Sequence, residues 1–188
     1  MRKQKGFSLI ELLIVVAIIL IIAAIAIPNL LRAKISANES SAVGSVRNIV
    51  TAEASFSSSY PAYNFAVTLD QLGPGAGVAS CPATGPTPTA ACLLDSALAG
   101  AVSSIKSGYR FQAKGDNPVA DPQTGIIKQN GFTASAWPLG FNQTGVRDFC
   151  AGDDGVVRYN LNVGGTTAGP FDPWTGVCTV APAWQVLQ

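Results

Sequence analysis

Gly6-Phe7-Ser8-Leu9-Ile10-Glu11-Leu12-Leu13-Ile14-Val15-Val16-Ala17-Ile18-Ile19 follows a short basic leader, Met1-Arg2-Lys3-Gln4-Lys5. The apolar character then persists: residues 12–27 carry no polar side chain, within a stretch 7–27 broken only by Ser8 and Glu11. As a helix at ~1.5 Å per residue, that stretch reaches roughly 31 Å, enough to cross the hydrocarbon core of a bilayer. Arg2, Lys3 and Lys5 precede it, so the positive-inside rule places the N-terminus in the cytoplasm and the bulk of the chain outside. A secretory signal peptide would end in a small-residue cleavage site, and Ala23-Ala24-Ile25-Ala26 is a crude match. The helical pattern nevertheless continues past it. Neither a signal peptide nor a plain anchor has a use for Glu11, a carboxylate whose insertion costs on the order of 2–3 kcal/mol.

Outward from this stretch, Pro28 and Asn29 close the apolar run. Proline removes one helical hydrogen bond and predicts a kink at Pro28, with a true helix end as the alternative. Beyond it Leu31, Ile35, Ala42, Val46, Ile49 and Phe56 recur on one helical face, while Arg32, Lys34, Glu39 and Arg47 are placed mostly off that stripe. The helix is therefore expected to run to about Ser55 and to dock one face, most simply on a β-sheet. Ser57-Ser58-Ser59 and the Gly/Pro-rich segments 73–77 and 81–88 read as loop, with helical turns at 68–72 and 93–98. Four strands are expected at 108–113, 131–138, 147–150 and 156–160, the last two joined by an Asp153-Asp154-Gly155 turn. Their short connections make the sheet antiparallel.

A chain of 188 residues is about one domain. Apolar residues make up 48% and charged residues only 12%, about half the usual share. The local apolar stretch 7–27 excludes a purely cytosolic globular protein, and a chain able to bury a sizeable core excludes disorder as the main state. A net charge of +1 leaves no nucleic-acid footprint. With no histidine, imidazole acid–base chemistry and most transition-metal sites are removed. Serine nucleophiles lack their usual base, so no enzyme, cofactor, metal or small-molecule substrate is expected. Asp148, Asp153 and Asp154 lie close together, but their spacing is not that of a calcium loop, and a tight turn is the simpler reading. Asn38-Glu39-Ser40 and Asn142-Gln143-Thr144 fit an Asn-glycosylation pattern that recurs by chance. Cys81, Cys92, Cys150 and Cys178 show no Cys-x-x-Cys spacing, and their even number favours two disulfides in an oxidising compartment. Of the three possible pairings, Cys81–Cys92 with Cys150–Cys178 is favoured. It closes a proline-containing loop and ties the third strand to the tail. The pairings 81–178 with 92–150 and 81–150 with 92–178 stay open.

The basic leader, Gly6, Phe7, Glu11 and the long apolar run together resemble the class III leader of type IV pilins and the related pseudopilins. Residues 6–19 match that pattern position after position. The order Gly-Tyr-x-Phe at 108–111, the 131–138 strand, Arg-x-Phe-Cys at 147–150 and Asp-Gly-Val-Val-Arg-Tyr at 154–159 also looks like the sheet region of some bacterial type IV pilins. The likeness is strongest over residues 1–56 and weakens across 57–105 and after 163. It implies an α+β fold, a long N-terminal helix packed on a four-stranded antiparallel sheet. The implied organisation is a cleaved leader, 1–6; an apolar filament-core half-helix, 7–28; an amphipathic half-helix, 29–56; a loop region, 57–106; the sheet, 107–163; and a disulfide-bounded C-terminal region, 164–188. It further implies that prepilin peptidase cuts between Gly6 and Phe7 and methylates the Phe7 amine, and that Glu11 and Pro28 take part in assembly. Cleavage would leave 9 basic residues (12 − 3) against 11 acidic ones, a balance of −2. Implied partners are copies of the same chain in a helical homopolymer, the inner membrane before assembly, and the pilus assembly machinery. The extracellular filament would serve attachment, twitching motility, aggregation or DNA uptake. A type II secretion pseudopilin is the alternative. Against it, Asp172-Pro173-Trp174 only superficially resembles the Asp-Pro-Trp-Gly motif of major pseudopilins, because Thr175 intervenes before Gly176. A membrane-anchored periplasmic binding or enzyme domain is a third reading.

Overall fold

The computed structural model describes residues 8–100, 104–161, 178 and 184–187. They fall into two compact units, Met1–Lys34 and Ile35–Gln188. Helix α1 (Leu9–Ser59) contributes to both, and it runs through Pro28 rather than ending there. Its first half is dense in β-branched Ile and Val, which lowers intrinsic helix propensity. In an apolar medium that penalty is secondary, because only a helix satisfies all backbone groups within one segment.

The second unit is an α+β layer. Short helices α2 (Leu69–Leu72) and α3 (Ser96–Ala99) fall where helical turns are expected, and the Asp95 side chain caps α3 by accepting from Leu98 N–H at 2.9 Å. The sheet is an antiparallel meander in chain order: β1 (Ile105–Lys106), β2 (Tyr109–Ala120), β3 (Ile127–Pro138), β4 (Arg147–Gly152), β5 (Arg158–Leu161) and β6 (Gln185–Val186).

Among the described residues six strands stand where four were expected. The additions, β1 and β6, are two residues each, too short for alternation to register in sequence. β1 forms because Ser107 and Gly108, at φ 50° and 73°, make the tight turn that returns Lys106 onto Tyr109. β6 pairs with β5 across a long sequence separation. β2 and β3 are also longer than read, because pairing skips Asn117, at φ 52°, and resumes at Pro118↔Gln129. Ser57, Ser58 and Ser59 belong to α1 rather than to a loop.

The core lies between residues 35–59 of α1 and one face of the sheet. Ala42, Val46, Ile49 and Phe56 are buried as their spacing predicts. They rest with Tyr109, Phe111, Ala113, Phe132, Ala134, Ala136, Phe149 and Ala151 in one cluster. Four of those sheet residues are alanine, a low floor that lets a helix approach closely while aromatic rings fill the flanks. Glu39 corrects the sequence reading. It sits four residues after Ile35 and three before Ala42, so it lies on the stripe and is 4% exposed.

Candidate assembly site

The first unit presents apolar side chains on all sides. Every large apolar residue between Leu9 and Leu31 is exposed, from 44% at Val16 to 73% at Leu9. A helix apolar all round belongs in a membrane or inside a larger protein core, and a patch of this size marks an interaction surface. This is the one helix among the described residues long and apolar enough to cross a membrane.

Glu11 stands at the start of that surface. Its Oε2 accepts from Ser8 N–H at 2.9 Å, three residues back, and Leu12 N–H donates to the Ser8 carbonyl at 3.3 Å. This is the back-reaching half of a capping box, and it sets a negative charge against the positive end of the helix dipole. The cleavage and methylation positions, Gly6 and Phe7, lie outside the described residues, as does Asp172. Pro28 lies inside α1, and its missing N–H leaves the carbonyl four residues back without a helical donor.

In the second unit, α1 is clamped to the sheet by a charge pair that alternation and composition did not reveal. Glu39 accepts from the backbone N–H of Val146 at 3.0 Å and of Arg147 at 3.2 Å, and from Arg147 Nε at 2.8 Å. Arg147 Nη2 lies 2.6 Å from Glu39 Oε2. The guanidinium also lies over the rings of Phe149 and Tyr159, 5.8 and 5.4 Å from their centroids. Tyr109 donates its hydroxyl to the Arg147 carbonyl at 2.9 Å. Burial, reinforced by Glu39 and Asp148, holds that phenol above its ordinary range. The sequence signal for Glu39 was its place in the 4,3 spacing, masked by its charge.

The disulfides are Cys81–Cys92 and Cys150–Cys178, each with 5.9 Å between Cα atoms. Asp154 belongs to the turn between β4 and β5: its carboxylate accepts from Arg158 and from Val156 N–H. The Arg158 hydrogen bonds hold it below the ordinary carboxylate range. The described residues gather no group of three or more metal-ligating side chains. Asn38 donates its side-chain amide to the Thr144 carbonyl at 3.0 Å and is engaged in packing.

Residues 1–27 match the family described as the prokaryotic N-terminal methylation motif. Over 39 residues the chain is 67% identical to the type IV wide pilus major component PilA4 of Thermus thermophilus, covering 21% of this chain and 30% of that protein. Over 62 residues it is 45% identical to the type IV major pilin protein PilA of Myxococcus xanthus, covering 33% of this chain and 28% of that one. The chain thus matches less than a third of the length of either relative. No solved structure matches.

Proposed function

We propose that this chain is the structural, non-catalytic subunit of a type IV pilus, polymerising through its N-terminal half-helix. The observation that carries the reading is an all-round apolar helix bearing one carboxylate, Glu11, inside a segment that matches the N-terminal methylation motif. Prepilin peptidase cuts between Gly6 and Phe7, removing the leader 1–6 and methylating the new amine. Before assembly, residues 7–28 cross the inner membrane with the N-terminus cytoplasmic. The pilus machinery then transfers them into a bundle of identical helices. Leaving lipid for such a bundle gains little hydrophobic free energy, since both surroundings are apolar, so packing and the Glu11 charge decide the register. Both relatives are named as pilus components, which supports a pilus over a secretion pseudopilus. Electron microscopy and mass spectrometry of filaments sheared from the cell surface test this. The expected result is this chain as a filament component with Phe7 at its N-terminus. Its absence from filaments, or retention of Met1–Gly6 within them, overturns the reading.

A further inference from the structure

Positions 35, 39, 42, 46, 49, 53 and 56 of α1 alternate spacings of four and three and so form one seam, half-buried at Ile35 and buried from Glu39 onward. Two members are glutamates, Glu39 and Glu53. Glu39 is answered by Arg147. Glu53 is fully buried between Ile49 and Phe56, and its Oε2 accepts one bond, from Ala66 N–H at 2.9 Å. Its Oε1 has no hydrogen-bond partner among the described residues.

Among the described residues Glu53 makes no ion pair; Lys106 of β1 and Asp95 line a groove with Thr51, Ala52 and Ser55 on the neighbouring flank of α1. On β2, Tyr109, Phe111 and Ala113 are buried in the core, and the alternation puts Arg110, Lys114 and Asp116 on the other face. On β3 the core-facing residues are Phe132, Ala134 and Ala136, and Lys128 is exposed on the outer part of the hairpin. Beyond α1, segment 60–67 carries Tyr60 and Tyr63, and α2 carries Asp70. The turn near Val50 carries exposed Asp153 and Asp154, the latter paired with Arg158. On α1 itself Arg47 is exposed. Arg147 is committed to Glu39, fourteen residues or roughly 21 Å along the helix. An ionised carboxylate with one amide donor and a bare oxygen is strongly disfavoured in such surroundings. Burial accordingly pushes the Glu53 carboxyl up to about 8, against a smaller opposing effect of the Ala66 amide.

We propose that Glu53 is a protonated latch, a neutral buried acid that ties the return segment 60–67 to α1, so that opening of this segment is coupled to release of a proton. The segment is otherwise fastened mainly to the sheet: Asn64 Nδ2 donates to the Gln129 carbonyl, Gln129 N–H to the Tyr63 carbonyl, and Gly115 N–H to the Val67 carbonyl. The Phe65 ring packs tilted against Phe132, with ring centroids 5.0 Å apart. The segment's further ties to α1 are Ser57, donating to Asn64 Oδ1 at 2.7 Å, Tyr60 N–H, donating to the Phe56 carbonyl at 2.8 Å, and the Tyr60 ring against Phe56, with centroids 4.9 Å apart. Once the segment opens, the carboxyl returns to its ordinary value of about 4.3. The closed form therefore binds more protons across the window from about 4.3 to about 8. The stabilisation is complete below that window and is lost as pH rises through it. Opening becomes about tenfold easier per pH unit inside the window and levels off above it. This coupling does not depend on the filament reading.

Two measurements on the full-length chain in detergent micelles test it. The chain has three glutamates, Glu11, Glu39 and Glu53, so 13C-glutamate labelling gives three carboxyl resonances, each assignable through its own backbone. The expected result is a Glu53 carboxyl that titrates near 8; a midpoint in the ordinary carboxylate range overturns the proposal without any variant. Hydrogen exchange of residues 60–67 between pH 5 and 9, corrected for intrinsic chemistry, is the second measurement. Wild type should lose protection about tenfold per pH unit up to about 8 and then level off, whereas Glu53→Gln should show a flat profile. Parallel profiles for the two proteins overturn the coupling.

Discussion

Glu39 takes four donated hydrogen bonds or ion-pair contacts into one carboxylate that is 5% exposed, against 35% for its partner Arg147. That asymmetry ranks the two truncations. Glu39→Ala strands two backbone N–H groups and a guanidinium, and should lower the stability of the folded chain by about 2–4 kcal/mol. Arg147→Met leaves Glu39 its two backbone donors and some replacement packing under Tyr159, so about 1–2 kcal/mol is expected. Denaturant unfolding of both variants checks the order; an Arg147→Met loss larger than that of Glu39→Ala contradicts it. Gly145 makes a different demand. A Cβ there would overlap the phenol ring of Tyr109, with Cε2 at 2.7 Å and closer contacts to Cζ and Oη. Tyr109 is fully buried and donates to the Arg147 carbonyl, so the ring has no free space to yield. Gly145→Ala should therefore destabilise by about 1–3 kcal/mol through overpacking, read in the same unfolding measurement.

At the scale of elements, the disulfides distribute their effect unequally. Cys81–Cys92 spans a sequence separation of 11 and Cys150–Cys178 one of 28. By loop entropy the first contributes about 3 kcal/mol and the second somewhat more, about 3.5 kcal/mol. The second carries a further role. β6 is two residues long and meets β5 through Arg158↔Val186 and Tyr159↔Gln185, with Tyr159 Oη donating to Gln185 Oε1 at 2.6 Å. So short an edge strand depends on the tether that brings the tail back. Cys150→Ser with Cys178→Ser should erase exchange protection at 185–187 and lower the unfolding midpoint, while Cys81→Ser with Cys92→Ser should leave 185–187 protected. Loss of protection in both variants would refute the tether. The same elements show how much of the fold was legible in the sequence. Long periodic segments announce themselves: Ala42, Val46, Ile49 and Phe56 repeat at helical spacing, and Tyr109, Phe111 and Ala113 alternate at strand spacing. β1 and β6 do not, because two residues carry no period and their pairing is decided by a turn and a distant strand. Glu39 and Glu53 stayed hidden for another reason: charge is read as exposure, whereas the 4,3 spacing alone would have placed both in the seam. The partner that makes Glu39 tolerable, Arg147, is 108 positions away, and sequence order does not bring them together.

Across the whole molecule, the two units pose opposite problems. Residues 35–59 of α1 bury their apolar stripe within the chain, whereas every large apolar side chain from Leu9 to Leu31 is exposed. That surface calls for an apolar environment, lipid or protein, and it is so uniform that dispersion alone would accept many registers. Glu11 is the exception in it. In the isolated chain the carboxylate serves the helix start through Ser8 N–H. On the pilus reading, cleavage after Gly6 creates a positive amine at Phe7, four positions before Glu11 in the sequence, so the carboxylate has a cation available within its own chain or, with an axial offset, on a neighbour. An unpaired charge inside an apolar bundle is heavily penalised and a paired one tolerated, so the pairing selects one offset among many. Two outcomes follow from that selection. Gly6→Val should block cleavage by filling the space where the backbone must approach the peptidase, leaving an unprocessed membrane precursor detectable by intact mass. Glu11→Ala and Glu11→Gln should be cleaved normally and keep residues 57–188 folded, yet reduce filament number at least tenfold, with Glu11→Asp milder because its reach is shorter by one methylene. Counting filaments by electron microscopy in cells whose sole pilin is the variant decides the matter. Glu11→Ala filaments at normal length and abundance would confine Glu11 to its role as a helix cap.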